Sequence, residues 1–94
     1  MGTMTTEVQA VRVVVSGVVQ GVFFRAHCQR RADRLGIRGW VRNRDDGTVE
    51  AVFAGPPADV DAMVRWSRTG SPQARVSDVR VEPADDPGDG FQVR

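Results

Sequence analysis

The chain has 94 residues, a length that fits one domain and leaves no room for two catalytic ones. Hydrophobic residues at 40% and charged residues at 27% match ordinary soluble domains, which argues against wholesale disorder and against a membrane-spanning chain. The net charge of +1 is not that of a dedicated nucleic-acid binder. It hides an asymmetry: residues 25 to 44 carry seven Arg against Asp33 alone, whereas residues 45 to 94 carry five Arg against ten acids. The middle of the chain is where an anion would be drawn.

Cys28 is the single cysteine, so no intramolecular disulfide is possible, and a reducing compartment is expected. His27 is the single histidine, and a His/Cys zinc framework is therefore excluded; no metal site is expected. The N-terminus lacks a basic start followed by an apolar run, and no stretch of about 20 apolar residues exists, so the expected location is the cytoplasm, with no membrane partner. Gly2 and Thr6 fit a short myristoylation pattern without a supporting polybasic segment, and Met1 to Thr3 read equally as residues added before a natural start at Met4. Residues 1–8 are expected to be a flexible extension and residues 9–94 one domain.

From Val11 the pattern has period two, with Val11, Val13 and Val15 on one side and Arg12, Val14 and Ser16 on the other, a half-buried strand expected to end at Gly17. Beyond the glycine-bounded stretch Gly17 to Gly21, Phe24, Cys28, Ala32 and Leu35 recur at helical spacing until Gly36. A second strand is predicted over Ile37 to Asn43, and Asp46-Gly47 turns it into a third over Thr48 to Ala54. Gly55-Pro56-Pro57 then opens a helix whose face carries Val60, Met63, Val64 and Trp66, closed by Gly70-Ser71-Pro72. A fourth strand follows around Val79 and Val81, then an acidic loop from Pro83 to Gly90, and a short last strand at Phe91 to Val93. This order fits an α+β class, a ferredoxin-like βαββαβ sandwich with an antiparallel sheet and two helices on one face.

Two stretches carry the candidate chemistry. In Ser16-Gly17-Val18-Val19-Gln20-Gly21-Val22-Phe23-Phe24-Arg25, backbone amides at a strand-to-helix junction can converge on an anion, and Arg25 adds a planar fork of donors that matches phosphate oxygens. Read on these residues alone, turn punctuation by the two glycines is favoured over anion binding. In Gly39 to Glu50, Asn43 stands where the second strand meets the hairpin, and on its own its side-chain amide reads as a turn hydrogen-bonder.

Taken together the two stretches closely resemble acylphosphatases. The family's phosphate loop is matched by Gly17, Val19, Gln20, Gly21, Val22, Phe24 and Arg25, and its second block by Gly39, Trp40, Val41, Asn43, Gly47, Thr48 and Val49. Met63, Trp66, Gly70, Ser71-Pro72, Ala74, Val76 and Phe91 also fit, so the resemblance spans Val11 to Arg94. It implies an enzyme that hydrolyses small acyl phosphates to carboxylate and phosphate with no metal or cofactor. The amides of Val19, Gln20, Gly21 and Val22 and the Arg25 fork would bind the phosphoryl group, Asn43 would position water, and a substrate oxygen would take the water proton.

Cys28 and Arg44 depart from the Thr that many relatives carry at those places; Cys28 is expected in the core, and Arg44 removes a hydroxyl that would brace Asn43. Arg30, Arg31 and Arg34 read as a solvated helix face, His27 as exposed, and Trp40 and Trp66 as core or sheet-face packing. The chain is expected to act as a monomer on a small-molecule substrate. The alternative from another class is a non-catalytic ferredoxin-like module that binds a small anion or regulates another protein. RNA binding on an open sheet would need stacking aromatics, of which the third strand offers Phe53 and the first none, so no nucleic-acid partner is expected.

Overall fold

The computed structural model describes residues 7–94. The myristoylation pattern and all but Glu7 and Val8 of the expected extension lie outside the described residues. The elements run β1 (Gln9–Val18), α1 (Phe24–Leu35), β2 (Arg38–Asn43), β3 (Val49–Gly55), α2 (Pro57–Ser67), β4 (Arg75–Pro83) and β5 (Phe91–Val93). The sheet order is β4-β1-β3-β2-β5. The first four strands pair antiparallel, the ferredoxin-like arrangement expected, and β5 extends the sheet by pairing parallel to β2, Trp40 opposite Gln92.

Alternation decides which side of the sheet is covered. Val11, Val13 and Val15 of β1, Val41 of β2 and Val49, Ala51 and Phe53 of β3 meet Phe24, Cys28 and Ala32 of α1 and Val60 and Met63 of α2 in one core. Several of these are fully enclosed, and each enclosed Val, Phe or Met side chain contributes about 1.5–3 kcal/mol through burial alone. Phe53 stacks on Phe91 at 6.2 Å between ring centroids, which ties the short β5 to the core. Truncating Phe53 to Ala would cost about 3–5 kcal/mol, a large part of the roughly 5–15 kcal/mol that holds a domain folded.

The opposite face is polar. Arg12 of β1 bonds Glu50 of β3 and Glu82 of β4, and Arg42 of β2 bonds Glu50 at 2.6 Å. Burial pushes the Glu50 carboxyl up, but the bonds from Arg12 and Arg42 outweigh it and hold the group below its ordinary range.

The helix ends follow from local chemistry. Gly36, at φ 69°, closes α1, and Ile37 N donates to Ala32 O at 2.8 Å, taking up a carbonyl the helix leaves free. Pro57 opens α2, where its missing N–H costs nothing. One expectation needs correction: β1 does not end at Gly17. The strand passes through a register shift between Ser16 and Gly17 and continues to Val18, opposite a β4 that begins at Arg75, earlier than the Val79 to Val81 pattern indicates. Gly17, at φ 120°, permits this because a Cβ there would lie 2.1 Å from the Arg75 carbonyl oxygen.

Candidate active site

The loop between β1 and α1 is pinned from three directions. Val19 sinks its side chain into the core. Gln20 Nε2 donates to Arg44 O at 2.7 Å and to Thr48 O at 2.9 Å, stitching the loop to the β2–β3 hairpin. Ser71 Oγ donates to Val22 O at 2.6 Å, securing the other side. Gly21 sits between these anchors at φ 74°, a conformation glycine adopts without steric cost. Within this fixed loop the amides of Gln20, Gly21 and Val22 donate to no acceptor among the described residues. The first turn of α1 has no acidic side chain and no side-chain cap, so its positive end also faces the loop without a protein anion.

A cleft of about 550 Å³ opens in front of this loop, lined among others by Val19, Gly21, Arg25 and Asn43. The structure thus brings the two expected catalytic residues to one place from elements 18 positions apart in sequence. Val22 and Gln20 do not line it: Val22 is half-buried against the core, and the Gln20 side chain is spent on the hairpin. Arg25 is half-buried, and its Nη1 donates to the main-chain oxygen of Arg94 at 2.9 Å. Arg94 is itself held, its N–H donating to Val41 O at 2.8 Å and its guanidinium lying 4.6 Å from the Trp40 ring centre.

Asn43 stands at the end of β2, paired opposite Val49. Its side-chain amide bonds no described residue, so the turn does not depend on it. The hairpin is closed instead by Arg44 N to Thr48 O at 2.8 Å, and by Asp46 Oδ1, which accepts from Thr48 N and Thr48 Oγ1. Those two bonds, with Arg44 nearby, hold the Asp46 carboxyl below its ordinary range. Asn43 also borders a second, polar cleft of about 330 Å³ with Arg42, Arg44, Asp45 and Asp46.

Among the described residues no carboxylate, imidazole or thiol side chain lines the main cleft. Cys28 lies in the core, where burial pushes its thiol well above the usual range and makes it unfit as a nucleophile. Among the described residues no group of three His, Cys, Asp or Glu side chains is placed to hold a metal ion. His27 is half-buried rather than exposed, standing one position before the buried Cys28 at the edge of the covered face of α1. Arg30, Arg31 and Arg34 are exposed, Trp40 packs on the polar sheet face, and Trp66 packs against Phe24 at 4.9 Å. Arg94 and Phe23 belong to the site's construction and carry no mark in the sequence; Gln20 is marked by the motif for its amide, and only the fold shows its side chain bonding the hairpin.

Residues 11–93 match the family model described as Acylphosphatase. A protein of Haloquadratum walsbyi named acylphosphatase is 57% identical over 83 residues, covering 87% of this chain and 89% of its own. A solved acylphosphatase from Coxiella burnetii superposes with a TM-score of 0.85 at 40% identity, covering 93% of each chain. The crystal structure of the Bacillus subtilis acylphosphatase gives a TM-score of 0.86 at 36% identity, covering 94% of this chain and 99% of that one.

Proposed function

The chain belongs to the acylphosphatase family, and on that premise we propose that it hydrolyses acyl phosphates without a metal, holding the phosphoryl group with the loop amides and Arg25 and orienting the attacking water with Asn43. One observation carries this reading: a single cleft is lined by Arg25, by Asn43 and by Val19 and Gly21 of the loop, and no carboxylate or imidazole among the described residues lines it.

Phosphoryl transfer asks a protein mainly for positioning and for stabilisation of charge on the equatorial oxygens. The loop amides between the Gln20 and Ser71 anchors are fixed before substrate arrives, so little reorganisation opposes their action. Arg25 supplies paired N–H donors to two oxygens, and its bond to Arg94 holds the guanidinium at the cleft. The Asn43 Oδ1 accepts a hydrogen bond from the water while its NH2 group donates elsewhere, and the amide does not change charge. The water oxygen attacks phosphorus, the bond from phosphorus to the bridging oxygen breaks, and the carboxylate leaves with the electron pair. One water proton passes to a phosphoryl oxygen and the other stays on the attacking oxygen, giving carboxylate and dihydrogen phosphate, which ionises further in solvent. A carboxylate with a conjugate-acid pKa near ~4 needs no protonation to depart, so the absence of an acid from the lining suits this substrate and disfavours phosphate monoesters.

Residues 9–94 act as one domain and as a monomer in this reading, because one chain builds the whole cleft. The free, buried Cys28 suits the reducing cytoplasm, and no helix among the described residues is long and apolar enough to cross a membrane. Hydrolysis in ¹⁸O-labelled water tests the attack: label in the phosphate is expected, and label in the carboxylate would mean attack at the carbonyl and overturn the assignment. Phosphate binding without turnover would favour the anion-binding module instead.

A further inference from the structure

The cleft has a second end that the phosphoryl chemistry leaves unused. Phe23, Ala26 and Gln29 follow one another at three-residue spacing from the loop onto α1, which places them along one side of the helix, and Val93 of β5 closes the cleft beside them. Phe23 is 70% exposed and Val93 41% exposed. The backbone of Phe23 is unusual as well: at φ 61° it is the single non-glycine with positive φ among the described residues, whereas nine glycines serve the other such positions. A bulky side chain is disfavoured in this conformation and glycine is not. Phe24 next to it is enclosed against Trp66, yet the Phe23 ring stacks on no other aromatic ring among the described residues. Strain of this kind persists where the surrounding structure holds it, and here it presents an uncovered aromatic ring to the mouth of the candidate site.

We infer that Phe23, with Ala26 and Val93, forms the acyl subsite, and that Phe23 selects aromatic acyl phosphates over short aliphatic ones. The inference rests on the acylphosphatase reading and adds the identity of the acyl half. In-line displacement puts the attacking water and the leaving carboxylate on opposite sides of phosphorus. Asn43 faces the polar cleft of Arg42 to Asp46 on one side, so water held there directs the acyl group toward the apolar side. A flat ring lying against Phe23 gains aromatic contact and shields a surface that is otherwise wet. An acetyl group is too small to reach it. The cleft volume of about 550 Å³ is ample for an aryl acyl phosphate and lies within the roughly 300–1,000 Å³ of small-molecule sites.

The test compares kcat/KM for benzoyl phosphate and acetyl phosphate in the wild type, Phe23→Ala and Phe23→Gly, followed by phosphate release, with thermal unfolding of each protein. Benzoate and acetate are carboxylates of similar basicity, so their intrinsic reactivities are close. The benzoyl-to-acetyl ratio is expected to exceed one in the wild type and to fall on the order of tenfold in both variants, while Phe23→Gly, relieved of the left-handed strain, melts no lower than the wild type. A wild-type ratio at or below one, or a ratio unmoved by both substitutions, overturns the subsite; so does a parallel fall for both substrates, which would make Phe23 a shaper of the loop only. Acetyl phosphate hydrolysis with a flat ratio refutes this inference alone, whereas no turnover of either substrate refutes the acylphosphatase reading along with it.

Discussion

Gln20→Ala separates the architecture of the site from its chemistry. The side chain donates to Arg44 O and Thr48 O, the only hydrogen bonds drawn from loop to hairpin by a side chain among the described residues, and it fixes where Asn43 stands relative to the loop. Two such bonds are worth about 0.5–1.5 kcal/mol each. Neither carbonyl is orphaned by the substitution, because Arg44 O keeps Gly47 N at 3.2 Å and Thr48 O keeps Arg44 N at 2.8 Å. The loss therefore falls at the lower end, about 1–2 kcal/mol. For a domain of this size that lowers Tm by roughly 5–15 °C. The backbone amide of residue 20 survives the change, so inhibition by inorganic phosphate should shift by only a few-fold. Turnover should fall at least ~10-fold, because sub-ångström placement of the water governs the rate far more than ground-state binding. Differential scanning calorimetry and steady-state kinetics on one preparation read all three quantities. A variant with native Tm and native kcat would refute the argument that this amide couples loop to hairpin.

Other outcomes follow from the same structure. Arg25→Lys should fold normally, bind phosphate more weakly and lose about 10²-fold in rate, about the loss of one oriented donor, since Lys keeps the charge but not the fork; near-native turnover would remove Arg25 from the site. Asn43→Ala should lower kcat by at least ~10²-fold with phosphate inhibition within a few-fold and Tm close to wild type, because the side chain bonds no described residue; a fall in Tm with unchanged turnover would return Asn43 to a turn role. Glu50 has its native pKa held down by Arg12 and Arg42, so its stabilisation is present above the ordinary carboxylate value of about 4.3 and is lost as pH falls through the native value. Tm should therefore drop on acidification below about pH 4.3, and Glu50→Gln should lower Tm at neutral pH and flatten that acid limb; an unchanged acid limb would remove Glu50 from the linkage.

Much of this was legible in the sequence because the signals are local. The four, four, three spacing of Phe24, Cys28, Ala32 and Leu35 fixes the face of α1, and the alternation of Val11, Val13 and Val15 fixes that of β1. The motif resemblance marked Arg25 and Asn43, which one cleft now unites. What escaped depends on contacts between distant residues. Gly17 reads as a stop until β4 is seen to pair across it through the register shift. The alternation of Phe91 and Val93 says nothing of direction, and β5 is parallel to β2 only because the acidic loop carries the chain to that edge. Gln20 is a polar loop residue until the hairpin, more than 20 residues on, presents two carbonyls to it. Glu50 reads as the polar side of a strand, yet it is enclosed because arginines from two neighbouring strands cover it. His27, one position before Cys28, illustrates how a helix boundary between exposed and buried faces blurs at its edges.

The most direct measurement is phosphate release from acetyl phosphate by the purified protein in excess EDTA, with a phosphate monoester in parallel. The account predicts undiminished turnover of acetyl phosphate and little of the monoester, since in the proposed mechanism the loop amides and Arg25 cradle the phosphate and Asn43 orients water, while no acid among the described residues lines the cleft to protonate a poor leaving group. Activity that disappears on chelation and returns with a divalent ion would contradict it.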